Sequence, residues 1–391
     1  MAEPISLYVH IPFCTAKCGY CDFNSYAGHE HMIPSYAQTL THEAQLWRSA
    51  TEGRPVATLF LGGGTPSLMP LEAMRAMMDG LRETFDFAPD AEISLEANPG
   101  SLDEPYLRGL LGVGFNRLSI GVQSFHDDEL RALDRLHSAD DAREAFQAAR
   151  KAGFENVNVD LIFGLPEQPM ERWQESVEQA LALKPEHLSL YALTVEEGTP
   201  LARDVARGRT PSPDPDSQAD QYEWTQDRLA AAGYEHYEIS NWVRPGYRCR
   251  HNITYWECRE YLGLGAGAHS YLDGARFATT ALPTQHVESV EESWREMQAG
   301  ATTMKMRQVV SAETITPELA IADTLILGLR LVEGVSLNAF RERFGRELFD
   351  TVGEQIAQPL EYELLEVAEG RLRLTRRGRL LSNEVFTRLL P

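Results

Sequence analysis

Six short, strand-length apolar runs recur through the first half of the chain: Ser6–Ile11, Thr58–Leu61, Glu92–Glu96, Arg117–Val122, Asn156–Ile162 and His187–Ala192. Between them the apolar positions fall at helical spacing, over Ser35–Arg48, Leu71–Thr84 and Asp140–Ala152. Runs of four to eight apolar residues suit buried strands, whereas spacing of three and four lays one apolar face along a helix. Gly112, Gly114 and Gly153 stand where such helices should stop. Strands alternating with amphipathic helices predict an α/β fold. Its parallel sheet is joined by right-handed crossovers and forms either an open sheet or an incomplete barrel.

The pattern then changes. Residues 208–217 (GRTPSPDPDS) are dense in proline and turn formers and read as a loop. A helix is expected over Gln218–Ala232, a strand over Tyr234–Trp242, and a glycine-rich turn at GLGAGAHS, 263–270. Beyond residue 300, helical stretches at Pro317–Val332, Leu337–Phe344 and Leu348–Glu363 precede a hairpin over Leu365–Leu374 and a last helix. Three helices and a wing predict a winged-helix-like α+β module. The expected domains are 1–210, an extension over 211–300, and 301–391.

Composition narrows the class. The chain has 391 residues, 43% hydrophobic and 24% charged, as in a soluble globular protein. No apolar run approaches the roughly 20 residues of a membrane span. The opening MAEPISLYVHIPF has neither a basic start nor a long apolar stretch, so it does not read as a signal peptide. Five cysteines, an odd count, argue against a closed disulfide framework and for a reducing cytoplasm. The formal charge of −22 opposes nucleic-acid binding, which needs a basic face. The one basic run, Arg371–Arg379, alternates with Leu372 and Leu374 and reads as a strand with a solvated face.

Chemistry concentrates in CTAKCGYC, where Cys14, Cys18 and Cys21 share eight positions. Clustered thiolates select zinc or an iron–sulfur cluster. Structural zinc requires a fourth ligand, for which His29 and His31 are candidates. A cubane held by three thiolates leaves one iron open to an outside ligand. Buried structural thiols are the remaining reading. Polar or glycine residues also end each predicted strand: Gly62-Gly63-Gly64-Thr65-Pro66-Ser67, Glu96-Ala97-Asn98-Pro99, Gly121-Val122-Gln123-Ser124, and Asp160 before Phe163-Gly164-Leu165-Pro166, with Arg135 on the helix after the fourth strand. A carboxylate or amide in an apolar strand needs a partner, and several at successive strand ends point to a ligand site. GLGAGA imitates a dinucleotide fingerprint without the strand–helix unit that would support it. CRHNITYWEC, Cys249–Cys258, groups His251, Tyr255 and Trp256 with two cysteines, residue types that suit a heme iron and a porphyrin face but also an ordinary packed core.

The spacing Cys14-x3-Cys18-x2-Cys21 directly after a first strand resembles the radical S-adenosylmethionine (SAM) superfamily. Tyr8-x-His10-Ile-Pro-Phe13, Tyr20 and Asp22-Phe23-Asn24 strengthen the likeness. The resemblance implies an incomplete (β/α)6 TIM-type barrel, a [4Fe–4S] cluster on the three cysteines, and SAM chelating the open iron. Within the superfamily the chain resembles the oxygen-independent coproporphyrinogen III oxidase-like family. That likeness implies SAM contacts from Tyr8, Tyr20, Gly63, Gly64, Thr65, Glu96, Gln123, Arg135 and Asp160. His251-Asn252-x-x-Tyr255-Trp256 matches the HNxxYW motif of the family's heme-chaperone branch. This implies heme binding through His251, Asn252, Tyr255 and Trp256, with Cys249 as rival iron ligand, and transfer of heme to heme proteins such as respiratory cytochromes. The decarboxylating enzymes of the family carry a further cysteine where Phe23 stands, and an extension before the cluster motif. Both departures disfavour coproporphyrinogen oxidation here. Membrane contact is expected only through a partner, and a homodimer is compatible with the sequence.

Overall fold

The computed structural model describes residues 2–301 and 305–391. The chain folds as two compact units: residues up to Thr225 together with Tyr261–Glu313, and Gln226–Glu260 together with Thr314–Pro391. These units cut across linear boundaries at 210 and 300. The segment after 260 returns to the first unit as sheet strands, whereas 226–260 groups with the C-terminal residues.

The first unit is built on β1 (Ile5–Ile11), β2 (Val56–Gly63), β3 (Phe87–Ala97), β4 (Arg117–Gln123), β5 (Val157–Phe163) and β6 (His187–Ala192). They pair in chain order and all in parallel. Helices α1 (Ile33–Leu46), α2 (Leu71–Thr84), α3 (Glu104–Val113), α4 (Asp127–Ala132), α5 (Ala139–Ala152) and α6 (Met170–Leu183) lie between them. The expected alternation of strands and helices is therefore present, as an incomplete barrel. Parallel strands are covered on both faces, so they read as continuous apolar runs; Leu7, Leu59, Leu95, Leu118, Val159 and Leu188 are all fully buried. On the other side of β1, Tyr261–Leu264 pairs in parallel. His269–Leu272 and Ala275–Thr279 then continue antiparallel, with Val309–Thr314 at the edge. GLGAGAHS is thus a strand–turn–strand.

In the second unit, the single strand expected over Tyr234–Trp242 is instead a hairpin. Glu235–Glu238 pairs antiparallel with Asn241–Val243, and the Ser240 backbone N–H caps the turn by donating to Glu238. The helix expected from Gln218, most of which belongs to the first unit, begins earlier, at Pro215, because proline suits a first helical turn, where its missing N–H costs nothing. Helices Pro317–Gly328, Leu337–Phe344 and Leu348–Glu361 pack with a three-stranded sheet of Val335–Ser336, Arg371–Leu374 and Leu365–Ala368. Leu325, Leu329, Ile356 and Leu372 are completely buried there. Burying each such side chain contributes about 1.5–3 kcal/mol. The basic run is ion-paired: Arg373 with Glu366 at 2.7 Å and Arg376 with Asp227 at 2.6 Å. Among the described residues no helix is long and apolar enough to cross a membrane.

Candidate functional site

All six strands of the barrel run the same way, so their carboxyl ends meet at one rim. The cysteine loop leaves the end of β1. Phe13–Cys14 pairs in parallel with Tyr26–Ala27, which closes the loop into a compact excursion. Cys14, Cys18 and Cys21 are all free and only partly buried. Within the loop, the Cys21 N–H donates to the Cys18 carbonyl (3.2 Å) and Lys17 Nζ to the Phe23 carbonyl (2.8 Å).

Two anchors fix this loop. His10 Nδ1 meets Tyr8 Oη at 2.9 Å, and its Nε2 meets the Asn24 carbonyl at 2.8 Å. Burial lowers the His10 pKa, so the ring serves as a neutral bridge. Asn24 Nδ2 donates to the carbonyls of Ala266 (2.9 Å) and Ala281 (3.0 Å). Behind them, Tyr36 Oη donates to the His10 carbonyl (3.0 Å) and accepts from Ala266 N–H (2.7 Å). Glu43 accepts from Gly265 N–H (2.8 Å) and pairs with His286 at 3.1 Å, both side chains fully buried. Gly265 has φ +99, and a Cβ there would stand 2.5 Å from the His10 carbonyl oxygen. The dinucleotide-like glycines therefore clamp the cysteine loop from behind.

The glycine turn after β2 is zipped to the same loop. Gly64 N–H donates to the Ile11 carbonyl (2.8 Å) and Thr65 N–H to the Phe13 carbonyl (2.7 Å). Gly63, at φ +112, passes so close to the His10 ring that a Cβ would lie 2.5 Å away. Its N–H donates to Glu96 Oε2 at 3.1 Å. Thr65 Oγ1 donates to Cys14 Sγ at 3.6 Å. Arg135 reaches Cys18 Sγ with Nη1 (3.7 Å) and, with Nη2, Asn98 Oδ1 (2.5 Å) and the Gly121 carbonyl (2.9 Å). Its Nε is buried with no partner, so a donor is left over for a ligand. The Arg135 charge also acts on Tyr20, whose hydroxyl pKa burial raises.

The acids sit deeper. The Glu96 carboxyl is pushed up to about 7, first by burial, then by the Asp160 charge, against the Gly63 N–H and the Arg117 guanidinium. Burial also raises Asp160, opposed by hydrogen bonds from Asn158, Ser189 and Ser119. Both residues keep some accessible surface. Asn158 Nδ2 donates to Asp160 Oδ1 (2.6 Å) and Ser119 Oγ (2.7 Å), and Ser119 Oγ to Asp160 Oδ2 (3.1 Å). Gln123 sits in left-handed backbone, φ +67, at a break in the β4–β5 register. Such strain persists only where the surroundings impose it. The Tyr8 hydroxyl is held protonated by burial and then by Glu96.

The rim thus gathers the three cysteines with Tyr8, Tyr20, Gly63, Gly64, Thr65, Glu96, Gln123, Arg135 and Asp160. Three soft thiols, two of them already receiving side-chain hydrogen bonds, fit an iron–sulfur cluster. A lone zinc would need its ligands to converge on one point, and among the described residues no group of three or more His, Cys, Asp or Glu converges on a single ion's position. Burial raises the Cys21 thiol, with the Phe23 N–H acting the other way; a bound metal deprotonates such a thiol outright. An adjoining cavity of about 620 Å³ touches the loop through Gly19 and Tyr20, over a floor including Leu133, Leu165 and Leu193.

The second constellation belongs to the other unit. Helix Arg250–Trp256 carries His251, 1% exposed, with Nε2 2.8 Å from Tyr255 Oη and the two rings edge to face. Cys249 is fully buried. Asn252, Tyr255 and Trp256 keep partial exposure, and the Arg330 guanidinium lies 4.3 Å from the Trp256 ring centre. The solvent-facing groups are therefore an amide and two aromatic rings, with His251 behind them.

Sequence reasoning gave no role to His10, Asn24 or Asn98, although each lies in a motif it singled out. It missed Ser119 and Asn158 altogether. The available signal was a polar residue alternating with apolar ones inside β4 and β5.

Family profiles match twice: the Radical SAM superfamily over residues 8–180 and the HemN C-terminal domain over residues 315–381. The chain is 36% identical to the heme chaperone HemW of Bacillus subtilis over 383 residues, 97% of this chain and 98% of that one. It is 42% identical to the heme chaperone HemW of Escherichia coli over 282 residues, 71% and 73% of the two chains. The structure of coproporphyrinogen III oxidase (HemN) from Escherichia coli, a radical SAM enzyme, superposes with a TM-score of 0.84 at 26% identity, covering 99% of this chain and 90% of that one.

Proposed function

Because the chain belongs to the HemW family of the radical SAM superfamily, we propose that it binds heme and hands it to heme proteins while carrying a [4Fe–4S] cluster liganded by SAM. The observation that carries the reading is the rim itself: three free thiols, two of them taking hydrogen bonds from Thr65 and Arg135, in a chain similar along nearly its whole length to heme chaperones. Cys14, Cys18 and Cys21 hold the cluster. Tyr8, Tyr20, Gly63, Gly64, Thr65, Glu96, Gln123, Arg135 and Asp160 would line the SAM site. When bound, the cluster supplies a one-electron centre and an open iron. The protein holds the sulfurs in place, keeps His10 neutral and encloses the acids.

Heme is taken up in the second unit, against Asn252, Tyr255 and Trp256, with His251 as iron ligand and Cys249 as its rival. The recipients are respiratory heme proteins, and the protein works in the cytoplasm, docking at membranes through those partners. Heme titrated into anaerobically reconstituted protein should give a Soret band that His251→Ala weakens. An unchanged band sinks the assignment of His251.

The shared fold with HemN favours one other reading, oxidative decarboxylation of coproporphyrinogen III. Phe23, at the position of the enzymes' further cysteine, is 60% exposed and offers no ligand. Protoporphyrinogen formation with SAM under anaerobic reduction would reverse the ranking.

A further inference from the structure

Two of the three sulfurs receive a side-chain hydrogen bond. Thr65 Oγ1 donates to Cys14 at 3.6 Å and Arg135 Nη1 to Cys18 at 3.7 Å. The two donors come from different strand–helix units, and one residue joins them. Asn98, just past β3, donates from Nδ2 to Thr65 Oγ1 (3.0 Å) and accepts at Oδ1 from Arg135 Nη2 (2.5 Å). Asn98 is itself fixed, its N–H donating to Ser67 Oγ at 3.3 Å. Because the Thr65 oxygen accepts from Asn98, its single proton is free for the sulfur. Because Nη2 is spent on Asn98 and the Gly121 carbonyl, Nη1 is the guanidinium nitrogen turned to Cys18.

We propose that Asn98 is a positioning residue that aims Thr65 and Arg135 at the sulfurs of Cys14 and Cys18 and so sets the reduction potential of the cluster. The inference rests on reading the three thiols as cluster ligands. Hydrogen bonds and positive charge at cluster sulfurs stabilise the reduced, more negative state and raise the potential. Loss of Asn98 frees both donors to turn away, so the potential falls.

The test is an anaerobic dithionite titration, followed by electron paramagnetic resonance, of the full chain reconstituted with iron and sulfide and with no heme or SAM present. Wild type is compared with Asn98→Ala, Arg135→Lys, Thr65→Val and the Thr65→Val/Asn98→Ala double variant. Asn98→Ala should retain wild-type iron and sulfide while its reduced-to-oxidised ratio at fixed potential drops about tenfold, which for one electron is about 59 mV. The double variant should fall short of the sum of its singles, since Asn98 acts partly through Thr65. If Asn98→Ala fails to load, Arg135→Lys carries the test: lysine keeps the charge but cannot span Cys18 and Asn98 together, so the same direction of shift is expected. A fully loaded Asn98→Ala or Arg135→Lys protein with the wild-type potential overturns the proposal, as do strictly additive shifts. A wild-type chain that assembles no cluster overturns both the proposal and the reading beneath it. An intact, correctly tuned cluster without heme uptake would fault only the heme assignment.

Discussion

The two candidate sites are organised in opposite ways. At the barrel rim, groups more than a hundred residues apart in sequence converge because parallel strands end together, and their hydrogen bonds already point at the sulfurs. The histidine of the second unit lies on one short helix, and helical spacing turns it away from solvent. His251 and Tyr255 are four residues apart and share one face, as do Asn252 and Trp256. The first pair closes on itself, with Nε2 bound to a phenol hydroxyl; of the four residues only His251 is buried. A site assembled from many elements is pre-arranged by all of them. A site on one helix can be opened by a single rotamer change, which suits cargo that must be taken and released.

The largest effect should come from breaking the first site alone. Cys18→Ala should abolish cluster assembly, with bound iron and sulfide falling to near zero after anaerobic reconstitution, because three thiolates are the minimum set. Heme uptake, read from the Soret band, should stay at its wild-type level if the two sites load separately. A parallel loss of heme uptake would mean that the cluster is needed to build the heme site, and that the two sites are one assembly.

A smaller but still large effect tests the clamp behind the cysteine loop. Gly265→Ala places a methyl 2.5 Å from a backbone oxygen at a positive φ, a position where little can give way. The expected cost is about 2–4 kcal/mol, visible as a lower Tm in the cluster-free chain. The second unit, which does not contain Gly265, should unfold as before; an unchanged Tm would show that the clamp carries no strain.

Much of this is readable from the sequence, and the division has a physical basis. Buried parallel strands announce themselves as apolar runs, so β1 to β6 fall within a few residues of their expected positions, and β6 matches at both ends. The cysteine spacing is local and survives any error in the fold. The Tyr234–Trp242 hairpin reads as one strand because its turn, Ile239-Ser240, has no glycine or proline; the turn is made by Ser240 N–H on Glu238, which spacing does not reveal. The return of 261–313 to the sheet is equally hidden, since strand order is decided by long-range pairing. So is the role of GLGAGA, whose partners, His10, Asn24, Tyr36 and Glu43, lie more than two hundred residues earlier. Asn98 is visible as a polar residue at a strand end, but its two partners on other elements are not.

The next effect separates ligand charge from site charge. Glu96 has its carboxyl raised to about 7, above the ordinary value, so the chain without ligand holds this proton more tightly than the unfolded chain does. Its contribution to stability is therefore present at low pH and lost as pH rises from about 4.5 through 7. A cationic ligand group beside Glu96 favours the ionised form, so SAM binding should release a proton near neutrality. Affinity for SAM should rise about tenfold from pH 6 to pH 8, following the ionised fraction. Glu96→Gln should flatten that dependence and bind weakly throughout. Equal affinity at both pH values in the wild type would show that no cationic group of SAM sits at Glu96.

The smallest effect bears most directly on the second site. If heme iron binds His251 through Nε2, it must first displace the Tyr255 hydroxyl. A hydrogen bond of this kind is worth about 1 kcal/mol net. Tyr255→Phe removes that competitor while keeping the ring, so heme affinity should rise up to about fivefold, with a faster approach to equilibrium. His251→Ala should move affinity the other way, and the double variant should behave like His251→Ala, because without the imidazole there is nothing for the phenol to release. If Tyr255→Phe weakens heme binding as His251→Ala does, the phenol is itself a heme contact. The His251–Tyr255 pair would then be the site as it stands, and not a latch that heme must open.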